Sequence, residues 1–216
     1  MSGEKPLADY RREYTLAGLR RADLDADPIA QFSRWFQQAV ASAVPEPNAM
    51  TLATADADGR PSSRIVLLKN TDARGFIFYT NYDSRKGREL DANPNAALTF
   101  FWPQLERQVC IAGTVSKVSR EESEHYFNSR PKGSRLSAWV SHQSEAVADR
   151  AALEKKLAEL EAKYPGETVP LPPYWGGFCV TPTRVEFWQG RPNRLHDRFC
   201  YVRQPGQAWL IERLSP

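Results

Sequence analysis

Arg191, Arg194 and Arg198 fall within eight residues of the segment WQGRPNRLHDR (188–198), together with Trp188, His196 and Asp197. Guanidinium groups packed this closely repel one another, so the cluster is costly unless an anionic or planar partner sits among them. His196 adds a group whose charge is adjustable near neutral pH. The chemistry expected here is recognition of an anion beside a group that can hold or move a proton. Asp197 is expected to hold the arginines in place rather than to react.

Other cations stand at the ends of predicted elements. Arg64 and Lys69 flank a strand, Arg85 and Lys86 open a helix, and Arg130 and Lys132 follow one. With the hydroxyls of Ser84, Ser134 and Ser144 they suit phosphate oxygens, although each alone could be a solvated surface charge. In a regular strand Arg64 and Lys69 point to opposite faces and lie roughly 16 Å apart. Unless a bulge intervenes they cannot grip one phosphate, so two anions are more natural than one.

Several chemistries are set aside. No G-x-G-x-x-G follows a strand and no G-x-x-x-x-G-K-[ST] is present; Lys132-Gly133-Ser134 lacks the preceding glycine of a phosphate loop. His125, His142 and His196 have no paired ligand spacing, so no metal is expected. No G-x-S-x-G elbow supports a serine hydrolase.

The elements that must carry these residues read mostly as strands. Asp27 and Pro28 open a helix whose Ile29, Phe32, Phe36 and Val40 form a docking stripe. AMTLATA and SSRIVLLK, joined across Asp58-Gly59, read as a hairpin, followed by GFIFYTN. A short helix from Ser84 precedes the strands AALTFFW and ERQVCIAGTVSKV. Ser119 and Glu122 form a capping box for a helix through Tyr126. A further helix over DRAALEKKLAELEAKY carries the stripe Leu153, Leu157, Leu160 and Tyr164. GGFCVTP, RVEFWQ, RFCYVR and AWLIERL read as four short strands. The expected class is mainly β with peripheral helices, an antiparallel sheet closed into a barrel to remove its edges.

Residues 1–26 are polar and arginine-rich, read as a flexible segment, and residues 27–216 as a single domain. Folding 216 residues buries roughly 70% of the unfolded surface, enough for a core. A net charge of +3 is too balanced for gripping nucleic acid. No stretch reaches membrane-span length and the N-terminus has no apolar leader. Cys110, Cys179 and Cys200 are odd in number and far apart, which argues against a disulfide framework and points to a reducing cytoplasm.

Read in order, YRREY, RIVLLK, TNYDSRKGREL, ERQV, YFNSRP, AWVSHQS, PPYWGGF and EFWQGRPNRLHDRF resemble the pyridoxine (pyridoxamine) 5′-phosphate oxidase family over nearly the whole chain. EFWQGRPNRLHDR is the most specific of these stretches. The resemblance implies an FMN-binding split barrel, cytoplasmic and homodimeric, with FMN at the subunit interface. It assigns FMN contacts to Arg64, Ile65, Val66, Leu67, Leu68, Lys69, Tyr79, Thr80, Arg85, Lys86, Gln108, Gln143, Ser144, Trp188 and Arg198. Of these, Arg64, Arg85 and Lys86 would meet the FMN phosphate. Lys69, Tyr126, Arg130 and Ser134 would hold the substrate phosphate, and Arg194, Leu195 and His196 would meet the pyridine ring. Arg11, Arg12, Glu13 and Tyr14 would form a cover over the bound substrate. Glu46 stands where aspartate is frequent in the family and stays outside the expected site.

The implied reaction oxidises pyridoxamine or pyridoxine 5′-phosphate to pyridoxal 5′-phosphate, the final step of vitamin B6 coenzyme formation. A hydride leaves C4′ for flavin N5 and dioxygen becomes hydrogen peroxide, with Arg194 and His196 as the catalytic residues. Arg194 would polarise the substrate and His196 would position it or accept a proton. Three other readings stay open: another member of the flavin split-barrel group, such as a flavin or haem-degradation reductase, a single-strand nucleic-acid module, and a non-catalytic vitamer carrier. Peroxide formed from the phosphorylated vitamer without nicotinamide separates the first and third; steep salt-dependent oligonucleotide binding would mark the second.

Overall fold

Asp27 accepts the Ile29 amide at 3.0 Å and caps α1 (Pro28–Ala41), with Pro28 in the first turn where its missing N–H costs no bond. The computed structural model describes residues 6–10 and 13–216, so the expectations on Arg11 and Arg12 lie outside the described residues. The inward face of α1 is Pro28, Gln31, Phe32, Trp35 and Ala39. The expected stripe is rotated: Val40 is 49% exposed, because bulky Trp35 and Phe32 take the buried side.

Nine strands follow among the described residues: β1 (Ala49–Ala55), β2 (Pro61–Leu67), β3 (Asn70–Asp72), β4 (Gly75–Asn81), β5 (Asn95–Trp102), β6 (Arg107–Lys117), β7 (Trp175–Gln189), β8 (Asp197–Arg203) and β9 (Trp209–Leu214). The other helices are α2 (Arg85–Ala92), α3 (Arg120–Ser129), α4 (Lys132–Val140) and α5 (Arg150–Lys163). The class is mainly β with peripheral helices. Contacts divide the chain into two compact units. The first gathers the described residues up to Pro47 with Thr99–Ile111 and Arg184–Pro216; the second gathers Asn48–Leu98 and Ala112–Thr183.

The strand order is β2-β1-β5-β6-β7-β4-β3. β1 and β2 form the expected hairpin, with Ala55 opposite Pro61 and Gly59 in the turn at φ 79°. Beyond Leu67 the chain changes partner. The Leu68 amide donates to Asn48 O and the Lys69 amide to Ile77 O, both at 2.8 Å, before β3 pairs with β4. Alternation along β2 therefore stops short of Lys69. That break removes the basis for placing Arg64 and Lys69 on opposite faces.

Ser84 caps α2 and Ser119 caps α3, as their spacing predicts. α3 runs to Ser129 rather than ending at Tyr126. α4 was not expected. Its first turn contains Gly133 and follows Pro131, which reads as a turn, yet Leu136, Ala138 and Val140 are buried. Phe127, Leu136, Val169 and Trp175 form a core cluster, and Leu157, Leu160 and Tyr164 of the α5 stripe pack against it.

In the first unit β8 pairs with β9 and with the Arg184–Gln189 end of β7. Phe32 packs on Phe100 at 4.9 Å, Trp35 on Phe187 at 5.1 Å, and Phe187 on Tyr201 at 5.5 Å. GGFCVTP and RVEFWQ, expected as two strands, are one strand of 15 residues. Pro182 does not end it, although the ladder to β4 stops at Val180 and that to β8 begins only at Arg184.

Candidate functional site

A cavity of about 630 Å³ opens in the second unit. Of the expected cofactor contacts, Arg64, Ile65, Val66, Leu67, Lys69, Tyr79, Thr80, Lys86 and Gln143 line it. So do Tyr126, Arg130 and Ser134, expected for the substrate phosphate. Arg64 and Lys69 thus line one cavity, which corrects the expectation that they point to opposite faces of a strand. Leu68 is turned into the core at 7% exposure and does not line it. Arg85 lies outside the lining on α2, and Ser144 follows Gln143 at φ 74° without reaching the cavity.

Three aromatic rings form one wall. Tyr79 stacks on Tyr126 at 4.0 Å and on Trp175 at 5.6 Å, with interplanar angles of 21° and 13°. Tyr79 lies opposite Gly177 on β7, and a Cβ there would come within 2.8 Å of its ring, so glycine permits the close approach. Burial pushes the Tyr79 phenol up to about 12, so it remains a donor at neutral pH. Trp175 was missing from the expected site. It lies in PPYWGGF, where a tryptophan beside two glycines could have marked an aromatic wall.

The cations are placed for anions. Lys86 is 9% exposed, yet among the described residues its Nζ reaches only neutral oxygens: Gln143 Oε1 at 2.6 Å, Thr80 Oγ1 at 3.2 Å and Ser84 Oγ at 3.4 Å. Burial, aided by the Arg64 charge, pulls its ammonium down to about 8, although Glu89 works in the opposite direction. The Arg130 guanidinium stacks over Trp175 at 4.7 Å, and its buried Nη1 has no hydrogen-bond partner among the described residues. Burial lowers its pKa too. A buried donor without a partner is expensive, and an anion in the cavity would satisfy it.

The remaining expected residues belong to the first unit. There a cavity of about 570 Å³ is lined by Tyr10, Glu13, Tyr14, Arg191, Asn193, Arg194 and His196. Trp188 and His196 rings lie 4.6 Å apart, and Tyr14 meets them edge-on at 5.5 and 5.9 Å. The Arg191 amide donates to His196 Nδ1 at 3.1 Å, which leaves the proton of the neutral ring on Nε2. Burial first, then the charges of Arg194 and Arg198, lower the His196 pKa, so the neutral ring prevails at pH 7. Leu195 is 69% exposed beside them. Arg198 is held by Glu186 at 2.8 Å and by Ser215 O at 2.9 Å. Gln108 donates to Cys110 Sγ at 3.2 Å. Asp197 does bind arginines, Arg213 at 2.7 Å and Arg191 at 3.5 Å.

Comparison with known proteins settles the family. A family model described as pyridoxamine 5′-phosphate oxidase matches residues 36–164. The chain belongs to the pyridoxamine 5′-phosphate oxidase family. Residues 175–216 match the C-terminal dimerisation region of pyridoxine 5′-phosphate oxidase, which marks this family member as a homodimer. A relative from Paraburkholderia phymatum named pyridoxine/pyridoxamine 5′-phosphate oxidase is 58% identical over 97% of this chain and 99% of its own. One of the same name from Rubrobacter xylanophilus is 57% identical over 98% and 97%. Among solved structures, PhzG of Burkholderia lata, in complex with tetrahydrophenazine-1-carboxylic acid, superposes with a TM-score of 0.88 at 35% identity over 95% of this chain and all of that one. An FMN-binding, pyridoxamine 5′-phosphate oxidase-related protein of Nostoc punctiforme gives 0.71 at 18% identity over 89% and 100%, a likeness of fold alone. The fold is the split barrel of this family, and the protein is a flavin-dependent oxidoreductase. Among the described residues no helix is long and apolar enough to cross a membrane.

Proposed function

We propose that the protein oxidises pyridoxamine 5′-phosphate and pyridoxine 5′-phosphate to pyridoxal 5′-phosphate, the final step in forming the vitamin B6 coenzyme, with FMN held at the subunit interface of a cytoplasmic homodimer. The observation that carries this is the second unit's cavity, where Lys69, Lys86 and Arg130 surround a wall of stacked Tyr79, Tyr126 and Trp175. Cations beside a flat aromatic wall fit ligands that are planar at one end and phosphorylated at the other. The names of the curated relatives support the substrate class.

Bound FMN would supply the acceptor for the hydride from C4′ and the route of its electrons to dioxygen. The chain supplies orientation and electrostatics. Lys86, buried against neutral oxygens, would take one phosphate, and Lys69, Tyr126, Ser134 and the buried Nη1 of Arg130 the other. Arg194 stays charged and would polarise the substrate's ring oxygen or C4′ substituent. His196, neutral with its proton on Nε2, would donate a hydrogen bond that orients the ring rather than remove a proton through the occupied Nδ1. Glu13 and Tyr14 would close over the substrate from the N-terminal side.

Purified protein supplied with FMN is expected to form hydrogen peroxide when given pyridoxamine 5′-phosphate in air, without nicotinamide. Peroxide that appears only with NADH or NADPH would identify a reductase. Turnover of a tetrahydrophenazine carboxylic acid in place of the vitamer would align the chain with PhzG instead.

A further inference from the structure

Glu89 is an acid buried at the edge of a site built from cations, with 6% of the residue exposed. Four side chains donate to it: Thr54 at 2.5 Å, Ser62 at 2.6 Å, Arg85 Nε at 2.8 Å and Arg64 Nη2 at 3.3 Å. Burial alone would raise its pKa, but the hydrogen bonds from Ser62, Thr54 and the two arginines hold it at about 2. It is ionised at any pH the enzyme meets.

The two arginines are held in different ways. Arg64 uses both terminal nitrogens: Nη1 donates to Leu52 O at 3.2 Å and Thr54 Oγ1 at 2.6 Å, and Nη2 donates to Ser62 Oγ and Glu89. Only its Nε–H has no partner among the described residues. Arg85, one turn before Glu89 on α2, is held through Nε alone, and its terminal nitrogens have no partner among the described residues. A guanidinium pinned at Nε presents its two-pronged end outward, the geometry that grips a phosphate through parallel bonds. Without the pin, a side chain 60% exposed would have to be ordered by the ligand, at a cost in binding.

We propose that Glu89 is the positioning residue of the cofactor-phosphate subsite: it fixes Arg85 as the arginine whose fork meets the anion and holds Arg64 as a supporting cation. This rests on the FMN reading above and deepens it by dividing the roles of the two arginines.

The test measures Kd for FMN and for riboflavin, which lacks the phosphate, by flavin fluorescence on the full apo-protein. Glu89→Gln is expected to weaken FMN about tenfold and riboflavin less than about twofold, as loss of one charge-assisted bond acting through the phosphate requires. Arg85→Gln should show the same split. The double variant should bind FMN within about twofold of Arg85→Gln alone, because both changes act on one contact. Equal weakening of both flavins, unchanged or tighter FMN binding, or losses that multiply in the double variant would overturn the proposal. Should Glu89→Gln fail to fold, Arg85→Lys carries the test: it keeps the charge and loses the fork, so an unchanged FMN to riboflavin ratio overturns the assignment. Wild-type protein that binds riboflavin as tightly as FMN would defeat the FMN reading itself, and the proposal with it.

Discussion

Alanine at Arg194 is expected to lower kcat/KM for pyridoxamine 5′-phosphate by about 100- to 1,000-fold while changing FMN affinity less than about twofold. Arg194 sits at the end of a short turn, Pro192–Arg194, where Asn193 and Arg194 both adopt left-handed backbone, at φ 57° and 61°. Two such residues in succession cost on the order of 1–3 kcal/mol each, and the surrounding structure must hold them there. The conformation aims a permanently charged group into a cavity shared with Tyr14 and His196. His196→Ala should lose less, about tenfold to 100-fold, because it removes one hydrogen-bond donor rather than a charge. The pH profile separates the two. Burial and the neighbouring arginines lower the His196 pKa below its ordinary 6.5, so wild-type activity should persist through that value and fall only at more acid pH as the ring gains a proton. That acid limb should vanish in His196→Ala. Parallel loss of turnover and FMN affinity in either variant would mean that the loop is structural.

Lys86→Met is expected to weaken FMN by about 100-fold, since a buried charge-assisted contact to phosphate is lost in a low-dielectric site. The lysine also makes binding depend on pH in a definite sense. Burial and Arg64 leave its free-state pKa at about 8. A phosphate dianion beside it favours the charged form, so the bound-state pKa is higher and binding takes up a proton. FMN affinity should therefore be flat from the phosphate's own second ionisation near about pH 6 up to about 8, then decline by up to about tenfold per unit. Titration of Kd against pH checks this. In Lys86→Met the alkaline decline should be gone; a wild-type Kd independent of pH between 7 and 10 would show that Lys86 does not meet the phosphate.

Much of the fold was legible because its signals are local. Asp27-Pro28, Ser84 and Ser119 mark helix starts through caps that need no tertiary context, and Asp58-Gly59 marks its hairpin through backbone geometry. What failed depended on partners distant in sequence. Whether Pro182 ends a strand is decided by the strands that flank it. Whether Arg64 and Lys69 share a face is decided by a change of pairing from β1 to β4 at Leu68, which no alternation count reveals. α4 was hidden by Pro131 and Gly133, whose local preference for turns is overridden by burial of Leu136 and Val140. In the site, the cations and hydroxyls were legible by type. Asn81 and two further hydroxyls, Ser137 and Ser141, were not, since each lines the cavity through position alone. Glu89 was missed for a related reason: an acid in a charged helix reads as solvated surface, and only its burial between Arg64 and Arg85 gives it a role.

The account rests on one cavity whose cations select phosphorylated planar ligands for oxidation. The most direct measurement is anaerobic reduction of the FMN-loaded enzyme, followed by loss of flavin absorbance, with pyridoxamine and pyridoxine each in phosphorylated and unphosphorylated form. Rapid bleaching by both phosphorylated vitamers, and bleaching at least about 100-fold less efficient by their unphosphorylated counterparts, is the predicted result. Equal bleaching with and without the phosphate, or bleaching by a nicotinamide alone, would contradict it.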